Sequence, residues 1–273
     1  MLAAPNKDAA ALLAALRAGA VPPEWDPVPV LDGAAFAAEV EAHPPFGRYG
    51  VIAEDLIRAG LATAGLPRPT PIAWTRADLD REAALGAAML RRAGLGARGR
   101  SSDTLDGGLV APGTLAVADA LDALDALALP VGPITDAAGL KRAAEVWDIV
   151  RPEVLIVDPA SLTFLHAADG YPRPRLFVAV LTPADAAVLA APPAADVRRI
   201  LSVPQVGTWI AGECVAQAGL HLAPDVHAEL ADGRLLLTPL QRAIAPLRVD
   251  TGLRAVIDAS PCDCGDSARR LRL

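Results

Sequence analysis

RPEVLIVDPASL, residues 151–162, decides the fold class. Val154 to Val157 form an unbroken apolar run with no polar alternation, the pattern of a strand buried on both faces of a parallel sheet. Helical spacing over 136–150 precedes it, and a second apolar strand, LFVAVL at 176–181, follows it with a short helix behind. Upstream, a helix over Leu115–Leu127 leads into the strand LALPVG at 127–132. This order of helix and strand implies a right-handed α/β layer.

Further toward the N-terminus the spacing predicts a helix over Asp8–Ala18, ended by the Pro-rich run VPPEWDPVPV, then a linker or extended arm over 21–31 and a second helix over Leu31–Ala42. HPPFGRYG at 43–50 reads as a loop, and Ile52–Gly60 as a third helix. The Gly- and Pro-rich stretch 61–75 is irregular until Pro71. Asp78–Ala93 is a strongly amphipathic helix stopped by Gly94, and Thr104–Val110 reads as a short strand opening on Gly107 and Gly108.

From about residue 200 the texture changes. VGTWIAGECV, HAELADGRLLLTPL and LRVDTGLRAVIDA are β-rich around Gly and Asp-Gly turns, so 200–273 is expected to be a small antiparallel β subdomain behind an α/β part over 1–199.

Composition narrows the function classes. A formal charge of −7 argues against a nucleic-acid partner, because that affinity rests on clustered cations releasing counterions. No stretch of about 20 apolar residues spans a membrane, and the N-terminal apolar segment is interrupted by Asp8 and Arg17, so a cytoplasmic location is expected.

Three cysteines cannot all pair within one chain, and a shared metal is the economical use of them in a reducing compartment. Cys262-Asp263-Cys264 can chelate from a tight turn closed by Gly265, and Cys214 with His221 supplies the other half about 40 residues earlier. Zinc favours such a thiolate and imidazole set. Four protein ligands leave no open position, so the site is expected to be structural. The competing reading makes Cys214 a buried apolar thiol and Cys262 and Cys264 exposed and incidental. His227 competes with His221, while His43 and His166 read as ordinary polar residues. Asp103, Asp106 and Asp158 stand at strand ends with no histidine in sequence reach, and read as solvated acids or helix caps.

Taken in order, HPPFGRYG (43), TAGLPRPTPIAWTRADL (63), MLRRAGLGARG (89), LPVGPITDAAGL (129), RPEVLIVDPASL (151), GECVAQAGLHLAPD (212), DGRLLLTPL (232), APLRVDTG (245) and CDCG (262) resemble the phenylacetate-CoA ligase and coenzyme F390 synthetase branch of the acyl-adenylating ligases. The resemblance covers most of 43–270, and the family's GEC, GLH and C-x-C elements fall on the four metal candidates. It implies the N-terminal domain of an enzyme that joins a carboxylic acid to AMP from ATP and passes the acyl group to coenzyme A or another acceptor.

The resemblance also implies a nucleotide cleft at Thr63, Gly65, Arg68, Thr70, Gln205, Asp250 and Thr251, and there the motifs are eroded. The phosphate loop keeps one glycine and gains Pro67, which has no N–H to offer a phosphate. Gln205 stands where the family has a glutamate for magnesium, and it lacks the charge a hard cation prefers. Leu253 follows Thr251-Gly252 where the family has a ribose-binding Asp, a role Asp250 takes only if the loop shifts. The family's mobile C-terminal domain, with its adenylating lysine, would follow Leu273; the only lysines here are Lys7 and Lys141. ATP, AMP and Mg2+ therefore have no intact site in the sequence. The expectation is an impaired, zinc-bearing relative that binds a small carboxylic acid or nucleotide, or a protein partner. The alternative is a ligase completed by a separate C-terminal domain or partner.

Overall fold

The computed structural model describes residues 7–49, 55–107, 110–191 and 194–273. Helix α1 (Lys7–Arg17) leads through a 3-10 turn at Pro23–Trp25 to α2 (Gly33–Ala42), whose first turn is capped by Asp32 accepting the Ala35 amide at 2.7 Å. Strands β1 (Leu56–Ala62) and β2 (Thr70–Thr75) form an antiparallel hairpin. Then come α3 (Arg76–Ala93), β3 (Ser101–Asp103), β4 (Val110–Ala111), which adds in parallel to β1, and α4 (Thr114–Leu124). Helices and strands next alternate through α5 (Ala137–Val150), β5 (Val154–Val157), α6 (Pro159–Ala167), β6 (Leu176–Leu181), α7 (Ala186–Ala190) and β7 (Val197–Val203). Beyond β7 every regular element is a strand: β8 (Gly207–Glu213), β9 (Leu220–Leu222), β10 (Val226–Ala231), β11 (Arg234–Pro239), β12 (Val249–Arg254), β13 (Val256–Asp258) and β14 (Arg270–Arg272).

The central sheet has eight strands in the order β13-β14-β9-β8-β7-β6-β5-β3. Its β3, β5, β6 and β7 run parallel, and every residue of β5 and β6 is buried, as their apolar runs require. From β7 to β8 the pairing becomes antiparallel and stays so to the edge. The change of texture near residue 200 marks this switch within one sheet. The division expected after residue 199 falls inside β7; the later residues add β8 and β9 to the central sheet, form a separate sheet, β10-β11-β12, and return to the central sheet with β13 and β14.

Several local expectations give way to pairing. Of the helix expected over Ile52–Gly60, residues 52–54 lie outside the described residues, and the chain from Leu56 is strand β1, paired to β2. β2 starts at Thr70 and tolerates Pro71 because it is an edge strand. In place of the strand expected over Thr104–Val110, the buried polar triplet Ser101–Asp103 pairs with β5; residues 108 and 109 lie outside the described residues. The Ser101 and Ser102 hydroxyls donate to Leu127 O and Leu129 O at 2.8 and 2.7 Å. LALPVG makes only isolated parallel bridges, at Leu127 and Pro130.

Helix α3 is specified from both ends. Thr75 Oγ1 accepts the Asp78 amide at 3.1 Å while Asp78 accepts the Thr75 amide at 2.9 Å, a reciprocal cap that starts the helix two residues before the expected Asp78. Gly94 ends it at φ +115°, donating to Leu90 O and Arg91 O. Midway, a Cβ on Gly86 would lie 2.5 Å from both Ala120 Cβ and Trp209 Cε2, so only glycine allows α3 this close to α4 and β8.

The switch from parallel to antiparallel pairing carries a buried ion pair. Arg199 on β7 donates Nε and Nη2 to Glu213 at the end of β8, and a third guanidinium bond goes to Leu189 O. The side chains are 8% and 0% exposed. Removing one partner strands the other charge in the interior. Glu213→Ala is therefore expected to lower unfolding free energy by about 3–5 kcal/mol, measured by urea titration; a loss below about 1 kcal/mol would show the pair to be dispensable.

Candidate metal centre and adjoining cleft

Cys214 leaves the end of β8, and a turn closed by Gln217 N to Cys214 O (3.1 Å) returns the chain as β9, which carries His221. Gly219 makes that return possible: its φ is +114°, and a Cβ there would meet Leu271 O at 2.9 Å. Cys262 and Cys264 sit in a second turn, closed by Gly265 N to Cys262 O at 2.9 Å with Gly265 at φ +83°. The halves meet because β14 returns beside β9, with Arg270 opposite His221.

Cys214, His221, Cys262 and Cys264 present ligand atoms that all lie within 4.8 Å of one another. Cys214 Sγ and Cys262 Sγ are 3.8 Å apart, and Cys264 Sγ is 3.6 Å from His221 Nε2. A tetrahedral ion with metal–sulfur bonds of about 2.3 Å and a metal–nitrogen bond of about 2.0–2.1 Å requires S···S near ~3.8 Å and S···N near ~3.6 Å. Both of these separations match, so the quartet is placed to hold a metal ion. Cys214 and His221 are fully buried and Cys262 is nearly so. Burial, helped by the charges of Arg92 and Arg270, holds the His221 imidazolium below its ordinary range, which favours the neutral, ligating form. Beside the ring, Asp266 approaches Nδ1 at 3.9 Å and is itself paired with Arg92 at the end of α3.

His227 stands apart from the quartet, edge-on to Trp25 at 5.7 Å. His43 pairs with Glu39, and His166 packs on Phe177.

The residues expected at a nucleotide cleft fall into separate groups. Thr63 O accepts the Leu66 amide at 3.2 Å, making a tight turn between β1 and β2 with Gly65 at φ +72°. Gln205 reaches this turn, donating Nε2 to Ala64 O at 3.2 Å, while its Oε1 is buried without a partner. The turn also lies on α2: a Cβ on Gly33 would fall 2.0 Å from Gly65 O. Arg68 is ion-paired with Glu41 and contacts Ala37 O, both on α2, and Thr70 Oγ1 donates to Arg68 O at 3.0 Å. Asp250 and Thr251 belong to β12. Asp250 pairs with Arg234 at 2.5 Å and accepts the Gly252 amide, and Thr251 Oγ1 donates to Leu235 O at 2.9 Å.

An open cleft lies beside β1 and β4, between α3 and α4. Its walls are apolar, chiefly Trp74, Leu79, Val110 and Leu115, with the Arg58–Asp119 ion pair among its polar groups. Glu82 also lines it, accepting the Thr208 amide at 3.0 Å; burial raises its carboxyl above the usual range, against the pull of nearby Arg242. Arg242 is itself buried, donates to Ala73 O and Pro204 O, and lies 5.4 Å over the Trp74 ring. Sequence reading passed over this group. The available signal was the spacing of Asp78 and Glu82, which puts two acids on one face of α3.

Asp158 caps α6, accepting the amides of Ala160 and Ser161. Asp103 is neither solvated nor a cap: it is 0% exposed at the end of β3. Burial pushes its carboxyl up to about 6, against the pull of Thr114 and the Leu105 amide.

No protein-family model and no curated protein sequence matches the chain. Solved structures do. A 2-hydroxyisobutyryl-CoA ligase in complex with 2-HIB-AMP and CoA superposes with a TM-score of 0.77 at 18% identity, covering 90% of this chain and 57% of that one. An open conformation of the same ligase gives 0.75 at 18%, covering 90% and 63%. The amide bond synthetase McbA from Marinactinospora thermotolerans gives 0.52 at 15%, covering 80% and 49%. The chain thus shares the fold of these structures and spans about three fifths of the 2-hydroxyisobutyryl-CoA ligase's length.

Asp103 gives a signed pH dependence. Its folded pKa of about 6 lies above the ordinary 3.8, so its ionisation adds no cost below about pH 4 and progressively destabilises the fold as pH rises from there through 6. Asp103→Asn is expected to remove that slope, gaining about 3 kcal/mol at pH 7 relative to wild type, read from thermal unfolding between pH 4 and pH 7. Parallel pH profiles for the two proteins would refute it.

Proposed function

We propose that this protein is a diverged, catalytically impaired relative of the phenylacetate-CoA ligase and coenzyme F390 synthetase branch, acting as a ligand-binding or interaction module in the cytoplasm. One observation carries the reading: the turn that would wrap ATP phosphates is committed to internal contacts. Its Leu66 amide donates to Thr63 O, Gln205 anchors it at Ala64 O, and Arg68 is paired with Glu41. Phosphate cradling needs free backbone amides and uncommitted cations, and Pro67 subtracts one amide more. In this reading a small carboxylic acid or similar ligand would bind at the open cleft beside Glu82. Among the described residues no helix is long and apolar enough to cross a membrane.

The metal in this reading is zinc. Three thiolates and one imidazole in tetrahedral spacing suit that borderline-soft ion, and four protein ligands leave no position for water or substrate. Its role is to staple the β8–β9 turn to the loop before β14.

The neighbours with an AMP-linked acid and CoA bound favour a second reading, an ATP-dependent carboxylate-activating ligase that acts with a separate C-terminal domain or partner. Calorimetry with MgATP, and pyrophosphate exchange over a panel of aryl and acyl acids, separate the two. The isolated chain is expected to give no ATP heat and no exchange. Exchange with any acid, alone or after a C-terminal adenylation domain is supplied, would favour the second reading.

Protein purified without chelators is expected to carry about one zinc per chain, by mass spectrometry of the metal. Cys262→Ser or Cys264→Ser is expected to cost several kcal/mol, on the order of the coupling between metal binding and folding. Less than about half an equivalent of metal, or unchanged melting in both variants, would overturn the structural-zinc reading.

A further inference from the structure

Arg270 is 3% exposed, a depth at which arginine needs compensation. It stands on β14 opposite His221, and its fork joins both halves of the quartet. Nη1 donates to Ala218 O at 3.1 Å, inside the turn linking Cys214 to His221. Nη2 donates to Ser260 O at 3.0 Å, Ser260 Oγ at 2.8 Å and Asp258 Oδ2 at 3.0 Å, in the loop that delivers Cys262. Nε is buried and has no protein partner. One guanidinium therefore sets the spacing of the two ligand loops, a geometry for which lysine, a single point donor, is no substitute.

The metal centre itself would carry charge: three thiolates, a neutral imidazole and a divalent ion sum to −1. Arg270 is the buried cation between its two loops; Asp258 is shared by Arg270 and the largely exposed Arg272, and Asp266 is matched by Arg92.

We propose that Arg270 is a positioning and charge-compensating residue of the metal centre: it holds the Cys214–His221 and Cys262–Cys264 loops at ligating distance and neutralises the metal–thiolate cluster. This rests on the metal reading above, and nothing so far assigns Arg270 a role. A merely structural arginine would support the folded chain equally with and without metal. A compensating one supports mainly the metal-bound form.

The test is zinc affinity of the full chain, by competition with a chromophoric chelator, together with melting temperatures of zinc-loaded and chelator-stripped protein. Arg270→Gln is expected to weaken zinc binding by about 10- to 100-fold and to shrink the gap between loaded and stripped melting temperatures. Arg270→Lys, keeping the charge without the fork, is expected to fall between it and wild type. If Arg270→Gln does not fold, the Asp258→Asn, Ser260→Ala pair, which releases the Cys262 loop from the fork, is expected to lower affinity in its place. Affinity within about two-fold of wild type in every folded variant, or equal loss of loaded and stripped melting temperature, would overturn the role of Arg270 while leaving the metal reading intact. A wild-type chain that binds no zinc would overturn both.

Discussion

β7 and β8 pair antiparallel from Ile200 opposite Gly212 to Val203 opposite Gly207, and this hairpin turns a parallel sheet into an antiparallel one. Each chemically interesting part of the molecule hangs from it. Its tight end presents Gln205 to the β1–β2 turn and the Thr208 amide to Glu82. Its open end places Glu213 against Arg199 and hands the chain to Cys214. The bulge between Leu201 and Val203 adds local twist, which lets the two ends serve different neighbours. A slip of one residue would exchange the faces of β8, bringing Trp209 and Glu213 out of their pockets together.

Beyond β8 the sheet becomes fragile by its own resources. β9, β13 and β14 are three residues each, too short to hold a sheet edge through pairing alone. Buried polar groups take the place of apolar area there: the Cys and His quartet, Arg270 with its ring of acceptors, and Asp266 tying the second turn back to α3 through Arg92. A metal ion bridging the quartet closes a loop of about 40 residues with four strong bonds. Three-residue strands gain persistence from that closure without a larger core.

Much of this was legible in sequence where one local rule sufficed. The runs at 154–157 and 176–181 are apolar on both faces and became buried parallel strands; Gly94 ended α3 and the Asp-Gly at 232–233 turned β10 into β11. That Cys214, Cys262 and Cys264 would share one site with a histidine was legible from residue type and grouping, and the structure gathers them with His221. What escaped needed a partner from elsewhere. Ser101–Asp103 carries no apolar signal, and becomes a buried strand only because Leu127 and Leu129 supply acceptors to its hydroxyls. Leu56–Gly60 reads as part of a helix until β2 pairs with it. Glu82 and Arg242 sit on segments far apart in sequence, and their shared burial is invisible until α3 lies across β8.

The length of β8 also constrains what a metal can do here. From Gly207 to Glu213 the strand advances six residues, about 20 Å at ~3.3 Å per residue, with the cleft residue Thr208 near one end and Cys214 just past the other. An ion held by the quartet is thus roughly 20 Å of extended strand from anything bound beside Glu82. That is several times a coordination distance and about twice the ~8–10 Å range over which exposed charges escape screening. It cannot polarise a ligand in the cleft. Its influence runs through the backbone, because fixing Cys214 fixes the far end of the strand whose near end supplies the Thr208 amide and the Gln205 side chain. The β1–β2 turn and the Cys and His quartet can therefore change independently, since the two ends of β8 answer to separate physical demands.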